Sequence, residues 1–447
     1  MTAEIAVMNR NAVALAADSA VTIQLPEGPK IYHTNKVFAL SKYEPIGVMV
    51  FGSADFMGLP WETIIKQYRA QLGRRSFSNL QDYGDSILRY IEQSRDLRKA
   101  SLQEKYLHQF AHAWMHRFKV RLRAALREKA KLGNPITTTS IRSAARELFD
   151  AQVARIQKNK RLPRLSRVSP SVLVSRYGRA LRTGIEAELQ DFPRFVSVGR
   201  LERTIALAIT RDNQWNQESG IVVAGFGRTQ TMPSMRSYVL DGIVADRLRA
   251  AFVEGKGSDV TDDNGAVVTA FAQSEMASLF MNGIDPEFRE YMFGFVEKSF
   301  IDGYPRAVKK LLETHLKGPA LAKLTRGLRD IGKKLDAELK LGTHEYSRVL
   351  HWSPIIEIVR HLPKEELAAM AEALVNLTSF KRHVTRQAET VGGPIDVVVI
   401  SRGDGLIWIK RKHYFKTELN QHFLANYYND CREAQSPYEK ATRFLPS

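Results

Sequence analysis

The stretch MTAEIAVMNRNAVALAADSAVT (1–22) decides how the rest of the 447-residue chain is read. Two apolar runs, EIAVM (4–8) and AVALAAD (12–18), flank Asn9-Arg10-Asn11, a turn-forming triplet. A secretory leader needs an unbroken apolar core of about 7–15 residues behind a basic start. Here the triplet cuts the run and Asp18 closes its second half, so the pattern predicts a hairpin instead. Both runs are nearly all apolar rather than alternating, as in strands covered on both faces.

The same segment places Thr2 behind the initiator methionine. Methionine removal is permitted by a small second residue, and it would leave a threonine whose α-amine stands beside its own hydroxyl. That amine titrates at about 7.7–8.0, so much of it is an unprotonated base near neutral pH. Such an amine can activate the hydroxyl as a nucleophile. Taken alone, Met-Thr is a common beginning for a protein and decides nothing.

Composition fits a folded soluble protein, with 44% hydrophobic and 26% charged residues. No apolar run approaches the roughly 18–20 residues that span a bilayer. Cys431 is the only cysteine, so no intrachain disulfide forms, which fits a reducing, cytoplasmic setting. The net charge of +18 is concentrated. Residues 113–182 hold 18 Lys/Arg against Glu128, Glu147 and Asp150, a net +15. That segment could meet an acidic partner, an anionic surface or nucleic acid.

Along the chain, KVFALS (36–41) and IGVMVFG (46–52) read as further strands, with LPEGP (25–29) as a loop among them. IKQYRAQL (65–72) and LQDYGDSILRYI (80–91) carry helical spacing. A basic helical stretch follows to about residue 200, interrupted by a Pro-punctuated linker, KNKRLPRLSRVSPS (158–171). Strand signals return in IVVAGFG (221–227), SYVLDGIVA (237–245) and AVVTAF (266–271). Helical text then runs from AQSEMASLFMNGI (272–284) to PKEELAAMAEALVNLTSFKRHV (363–384). DVVVIS (396–401) and LIWIKRK (406–412) flank an Arg-Gly-Asp-Gly turn and predict a closing hairpin. Strands and helices come in blocks, so the class is α+β and a doubly wound parallel sheet is unfavoured.

AVALAADSAVT (12–22), TNKVFAL (34–40) and GVMVFGSAD (47–55) resemble, in order and spacing, the N-terminal half of proteasome β subunits and their bacterial relatives HslV and Anbu. IVVAGFG with SYVLDG, and ETVGGPIDVVVISRGDGLIWIKRKHYF (389–415), look like later strand pairs of the same family. The resemblance covers residues 2–70, 220–300 and 363–415, about half the chain. It implies an N-terminal-nucleophile hydrolase with a four-layer αββα sandwich and large helical insertions. The core would then lie in 1–70, 201–300 and 363–447, the last with a C-terminal tail. Inserts would span 71–200, which is basic, and 301–362.

The resemblance implies a threonine peptidase acting on polypeptide, without cofactor or metal. Thr2 matches the nucleophile, Asp18 the carboxylate ending the second strand, Lys36 the active-site lysine and Gly52 the oxyanion-hole glycine. A lysine ammonium beside the threonine Oγ favours the developing alkoxide, and Asp18 holds that lysine. Ser274, with Gln273 as the alternative, is the nearest match to a serine early in the third major helix. The family's aspartate and serine before a late double glycine are replaced here by Ala388-Glu389-Thr390-Val391, with Glu389 or Thr390 as substitutes. Val21, Thr34 and Val50 would line a mostly apolar specificity pocket. A homo-oligomer, as a ring or helical stack, and an ATPase unfoldase partner belong to the same expectation. Rival classes are a non-catalytic assembly protein that keeps the fold, and a nucleic-acid-associated factor working through residues 113–182.

Two other signals point to bland roles. His108, His112 and His116 recur every four residues, so the outer pair lies about 12 Å apart along a helix and all three cannot share one ion. A partly exposed helical stripe is expected. GFG (225–227) lacks the dinucleotide fingerprint, and no P-loop is present.

Overall fold

The computed structural model describes residues 3–25, 28–131, 135–190, 192, 194–212, 219–316, 318–385, 392–412, 415–421 and 425. Eight strands come first: β1 (Ala3–Asn9), β2 (Ala12–Ala17), β3 (Ala20–Leu25), β4 (Gly28–His33), β5 (Val37–Ala39), β6 (Ile46–Phe51), β7 (Asp55–Phe56) and β8 (Leu59–Pro60). Helices α1 (Trp61–Leu72), α2 (Leu80–Gln93), α3 (Ala100–Lys131), α4 (Thr138–Lys158), α5 (Pro170–Leu189) and α6 (Val198–Ile209) follow. Then come β9 (Ser219–Gly225), β10 (Ser234–Val244), β11 (Arg247–Phe252), β12 (Ser258–Asp259) and β13 (Ala266–Ala272). The second helical block comprises α7 (Glu275–Asn282), α8 (Pro286–Glu297), α9 (Tyr304–Leu312), α10 (Pro319–Ser347), α11 (Ser353–His361) and α12 (Lys364–Val384). The hairpin of β14 (Asp396–Ser401) and β15 (Gly405–Lys410) comes last. The class is α+β, and every pairing between these strands is antiparallel.

The opening hairpin forms as its sequence predicts, with Glu4 facing Ala17 and Met8 facing Val13. It lies inside a five-stranded sheet of order β13-β1-β2-β14-β15. The second sheet runs β11-β10-β9-β6-β5, with β12 on β10. Alternate residues explain the packing, because successive strand side chains point to opposite faces. Ala12, Ala14 and Ala16 of β2, with Ile5 and Val7 of β1, join Leu367, Ala371 and Val375 of α12 in one apolar cluster. The small alanines let α12 lie close. Val13, Leu15 and Met8 turn the other way and meet Met49 and Val222 of the second sheet. The opposite faces of β6 and β9, through Val48, Val50, Ile221 and Val223, pack with Ile64, Ile65 and Leu88 of α1 and α2. Each fully buried aliphatic chain contributes about 1.5–3 kcal/mol, so these strands are held from both sides.

Helices α3 to α6 build a separate apolar cluster around Phe110, Trp114, Phe118, Phe149 and Leu181. Among its attachments to the second sheet is an irregular place in β10. The β10–β11 register shifts between Leu240 and Gly242, leaving Asp241 as an extra residue. Asp241 there meets Arg249 at 2.6 Å with both side chains buried. Arg249 also donates to Ile209 O at 2.8 Å. Gly242 lies beneath the Tyr106 ring, where a Cβ would come within 2.7 Å.

Two expectations need amending. KNKRLPRLSRVSPS is not a free linker: Leu162, Leu165 and Val168 are buried in the α3–α6 cluster. It lacks helical period because its apolar side chains reach inward from a short 3-10 turn at Pro163–Leu165. LPEGP is not wholly a loop either, since β3 ends at Leu25 and β4 begins at Gly28. Among the described residues no helix is long and apolar enough to cross a membrane.

Candidate active site

Thr2 and Glu389, with Thr390, lie outside the described residues, and the site is built from their neighbours. Asp18 stands one residue past β2, where the backbone turns off the sheet, and its own N–H donates to Ala3 O at 3.1 Å. Its carboxylate is 1% exposed and collects four donors. Oδ1 accepts from Ala3 N at 2.9 Å and Lys36 Nζ at 2.6 Å. Oδ2 accepts from Gly392 N at 3.0 Å and Ala20 N at 3.2 Å. A buried carboxylate is tolerable only with such donors, since the isolated charge would be expelled to water.

Lys36 precedes β5 and is 3% exposed. The pairing that follows, Val37 opposite Met49, and the bond from Val50 N to Lys36 O at 2.8 Å fix it against β6. Its ammonium also lies 3.7 Å from Glu4 Oε1. Sequence reading missed Glu4. The available signal was a carboxylate inside the otherwise apolar EIAVM, two residues beyond Thr2. Lys36 and Asp18 are therefore brought together at the first described residues of β1.

Gly52 follows β6 with φ +84°, a backbone state that favours glycine. It lines a cleft of ≈ 750 Å³ together with Phe51 and Ala272. Ala272 pairs with Ala3 across β1 and β13 and itself has φ +52°. This links the cleft to the Asp18–Lys36 end of the sheet. Lys158, Asn159 and Lys160 form part of its wall, with Asp212, Glu254 and Lys256 among the other lining residues, so the basic helical block reaches the cleft. Ser274 caps α7 by position, without a side-chain capping bond, and Gln273 beside it is buried. Both follow Ala272 directly.

The three pocket residues separate in their surroundings. Val50 belongs to the apolar cluster with α1 and α2. Val21 and Thr34 are half-buried near the β3–β4 ribbon, with Thr34 N bonded to Ser19 O at 2.9 Å. The late double glycine, not itself expected as a site element, reaches the site: Gly392 N–H donates to Asp18, and Gly393, at φ +75°, leaves no room for a Cβ beside His33 and Ser19. Ser19 Oγ and His33 Nδ1 are 3.1 Å apart, a polar pair next to Asp18 that the sequence did not announce.

His108, His112 and His116 lie on one face of α3, the last two exposed. His112 and His116 each approach Glu188 Oε1 at 3.2 Å, while Lys119 Nζ binds Glu188 Oε2 at 2.8 Å. Burial raises the Glu188 carboxyl, but Lys119 and the two imidazoles outweigh it and hold the group below its ordinary value. Among the described residues no cluster of three or more His, Cys, Asp or Glu is arranged to hold a metal ion. Several cations of the basic block are paired, including Arg164 with Glu92 and Arg176 with Asp246.

No family model matches the chain, and no curated protein matches it. Among solved structures it is similar to the Anbu complex of Pseudomonas aeruginosa, a helical assembly, at 11% identity and TM-score 0.31, covering 100% of this chain and 97% of that one. It is similar to a Gly-1 mutant of Anbu from Hyphomicrobium sp. strain MC1 at 10% identity and TM-score 0.28, covering 100% and 99%. A third is Anbu, an ancestral β-subunit, from Yersinia bercovieri, at 10% identity and TM-score 0.26, covering 100% and 98%. At such TM-scores the likeness has no bearing on the fold, which rests on the pairing and packing above.

Proposed function

We propose that this chain is a proteasome-like N-terminal threonine peptidase with a four-layer αββα core, working as a homo-oligomer. The observation that supports it best is the buried Asp18–Lys36 pair held against the backbone of Ala3, the residue after Thr2. Once Met1 is removed, the Thr2 amine accepts the hydroxyl proton, directly or through a water. Oγ then attacks a peptide carbonyl, the amine product leaves with a proton, and water hydrolyses the ester. Lys36 stabilises the alkoxide, Asp18 fixes Lys36, and the Gly52 N–H serves the tetrahedral oxyanion, a contribution of about 3–4 kcal/mol. Gln273 or Ser274, and Glu389 or Thr390, are the groups that would orient the amine. Val21, Thr34 and Val50 remain the pocket residues of this reading.

Within this reading the helical inserts sit outside the core. They span 71–200 and 301–362 in this reading, although α2 within the first packs under the second sheet and α11 within the second packs on β1 and β13. Intact mass of the purified protein tests the first step, and an epoxyketone probe tests the second. Loss of Met1 and labelling at Thr2, abolished in Thr2→Ala, support a peptidase. Retained Met1 with no labelling turns the reading toward a non-catalytic assembly protein.

A second reading, a nucleic-acid-associated factor, is favoured by Arg121, Arg123 and Arg127, which are exposed on α3 without a carboxylate partner among the described residues. Binding to duplex DNA that falls steeply with salt, and is lost in the triple Arg→Gln variant, would favour it.

A further inference from the structure

The helices between α7 and α11 hold few buried residues. None of α8 is buried, only Pro305 of α9 is, and α10 buries Leu321, Gly332, Asp336 and Ser347 over 29 residues. Apolar side chains are nevertheless abundant there. On α10, Leu324, Leu328, Ile331, Leu335 and Leu339 follow one another at intervals of four, three, four and four, the spacing of a coiled-coil seam. Leu324, Ile331, Leu335 and Leu339 are 37%, 56%, 43% and 41% exposed, and Leu328 is half-buried. On α8, which packs on α10, Phe288, Tyr291, Met292 and Phe295 form a second exposed stripe at helical spacing. A patch of this kind on a soluble chain marks an interface.

We infer that α10 pairs antiparallel with α10 of a second copy of this chain, the two helices crossing about a two-fold axis near Ile331. Three features select a second copy. The seam is nearly palindromic: about the 331–332 midpoint, Leu324 of one copy faces Leu339 of the other, and Leu328 faces Leu335. That self-complementarity is what an isologous interface requires. Charge selects the same direction. Residues 319–334 carry Lys323, Arg326, Arg329, Lys333 and Lys334 against Asp330 alone, whereas 335–347 carry Asp336, Glu338 and Glu345 against Lys340; Asp336 and Glu345 are paired within the chain to Lys340 and Arg348, and Glu338 is exposed toward a partner's basic half. Antiparallel pairing sets the basic half against the acidic half, and parallel pairing would set like against like. Area agrees. With the α8 stripe included alongside the seam, the eight exposed side chains and half-buried Leu328 offer about 700 Å² per copy, close to the ~800 Å² per partner of a standard interface.

The pairing concerns the arm and not the peptidase chemistry, so Thr2→Ala leaves it intact. The test uses the full-length protein. Light scattering after size exclusion gives the native mass of wild type, of Ile331→Glu/Leu335→Glu, and of Leu311→Glu, an exposed leucine off the seam. The seam variant is expected to weaken pairing at least a hundredfold and halve the mass, with unchanged far-UV dichroism, while Leu311→Glu matches wild type. Independently, Ile331→Cys in a Cys431→Ser background should form a covalent dimer on mild oxidation, and Leu311→Cys should not. A monomeric wild type at tens of micromolar, a seam variant of undiminished mass, or no covalent dimer through position 331 each overturns the inference.

Discussion

Removing Asp18 and removing Lys36 should not cost the same, although each destroys the same ion pair. When Lys36 becomes Met, Asp18 keeps three backbone donors, Ala3 N, Ala20 N and Gly392 N, at 2.9–3.2 Å. Each such bond to a charged acceptor contributes about 1.5–3 kcal/mol, so the carboxylate stays solvated by the protein. Glu4, fully buried 3.7 Å from the Lys36 ammonium, also loses its cation and takes up a proton, and the expected destabilisation of Lys36→Met is about 2 kcal/mol. When Asp18 becomes Asn, the buried ammonium loses its 2.6 Å partner and retains Glu4 at 3.7 Å. The new amide NH₂ must also face either the ammonium and Ala3 N–H or the Ala20 and Gly392 N–H groups. Leaving one partner of a buried pair uncompensated costs about 3–5 kcal/mol. Urea unfolding followed by tryptophan fluorescence gives the comparison, with hydrogen exchange of β1 and β2 locating the loss. Both variants should be inactive toward a peptide reporter, yet Asp18→Asn should be the less stable by about 1–3 kcal/mol. Equal stabilities, or a less stable Lys36→Met, would refute the argument that backbone donors hold the carboxylate.

Gly52→Ala should cost about 1–2 kcal/mol of stability because φ is +84°, and should lower turnover about a hundredfold in steady-state assays. The peptidase rate should rise with pH through about 7.7–8.0 as the Thr2 amine deprotonates, and a flat pH profile would remove that amine as the base. Glu188 has a lowered carboxyl pKa in the fold, so its clip to Lys119 is fully present above the ordinary carboxylate value of 4.5 and is lost as pH falls through the lowered one. The gap in unfolding free energy between wild type and Glu188→Gln, about 1–2 kcal/mol at pH 7, should therefore narrow as the pH falls below the ordinary carboxylate value.

The all-buried opening strands were legible because a turn triplet between apolar runs admits few other readings, and β1 and β2 follow those runs closely. Asp18 and Lys36 could be singled out by resemblance, and their contact needed three-dimensional pairing across 18 residues of sequence. Glu4 and the Ser19–His33 pair were missed because a single polar residue in a strand carries no periodic signal. The β3–β4 ribbon was hidden by its Pro-Glu-Gly-Pro centre, and β11 by its two arginines, one of which is turned inward by Asp241. The α10 seam was readable as spacing, but its exposure belongs to packing, which sequence period alone does not reveal.

The bulge at Asp241 has a practical bearing on how the basic block can be studied. Arg249 reaches the carbonyls of Ile209 and Arg211 and lies over the Phe110 ring, while Val244 of β10 sits in the same apolar cluster as Trp114 and Leu181. Excising residues 113–182 would strip Trp114, Phe118, Phe149 and Leu181 from that cluster and uncover the strand beneath. The block is thus welded into the two-sheet frame, and its charges are better neutralised one at a time than cut away together.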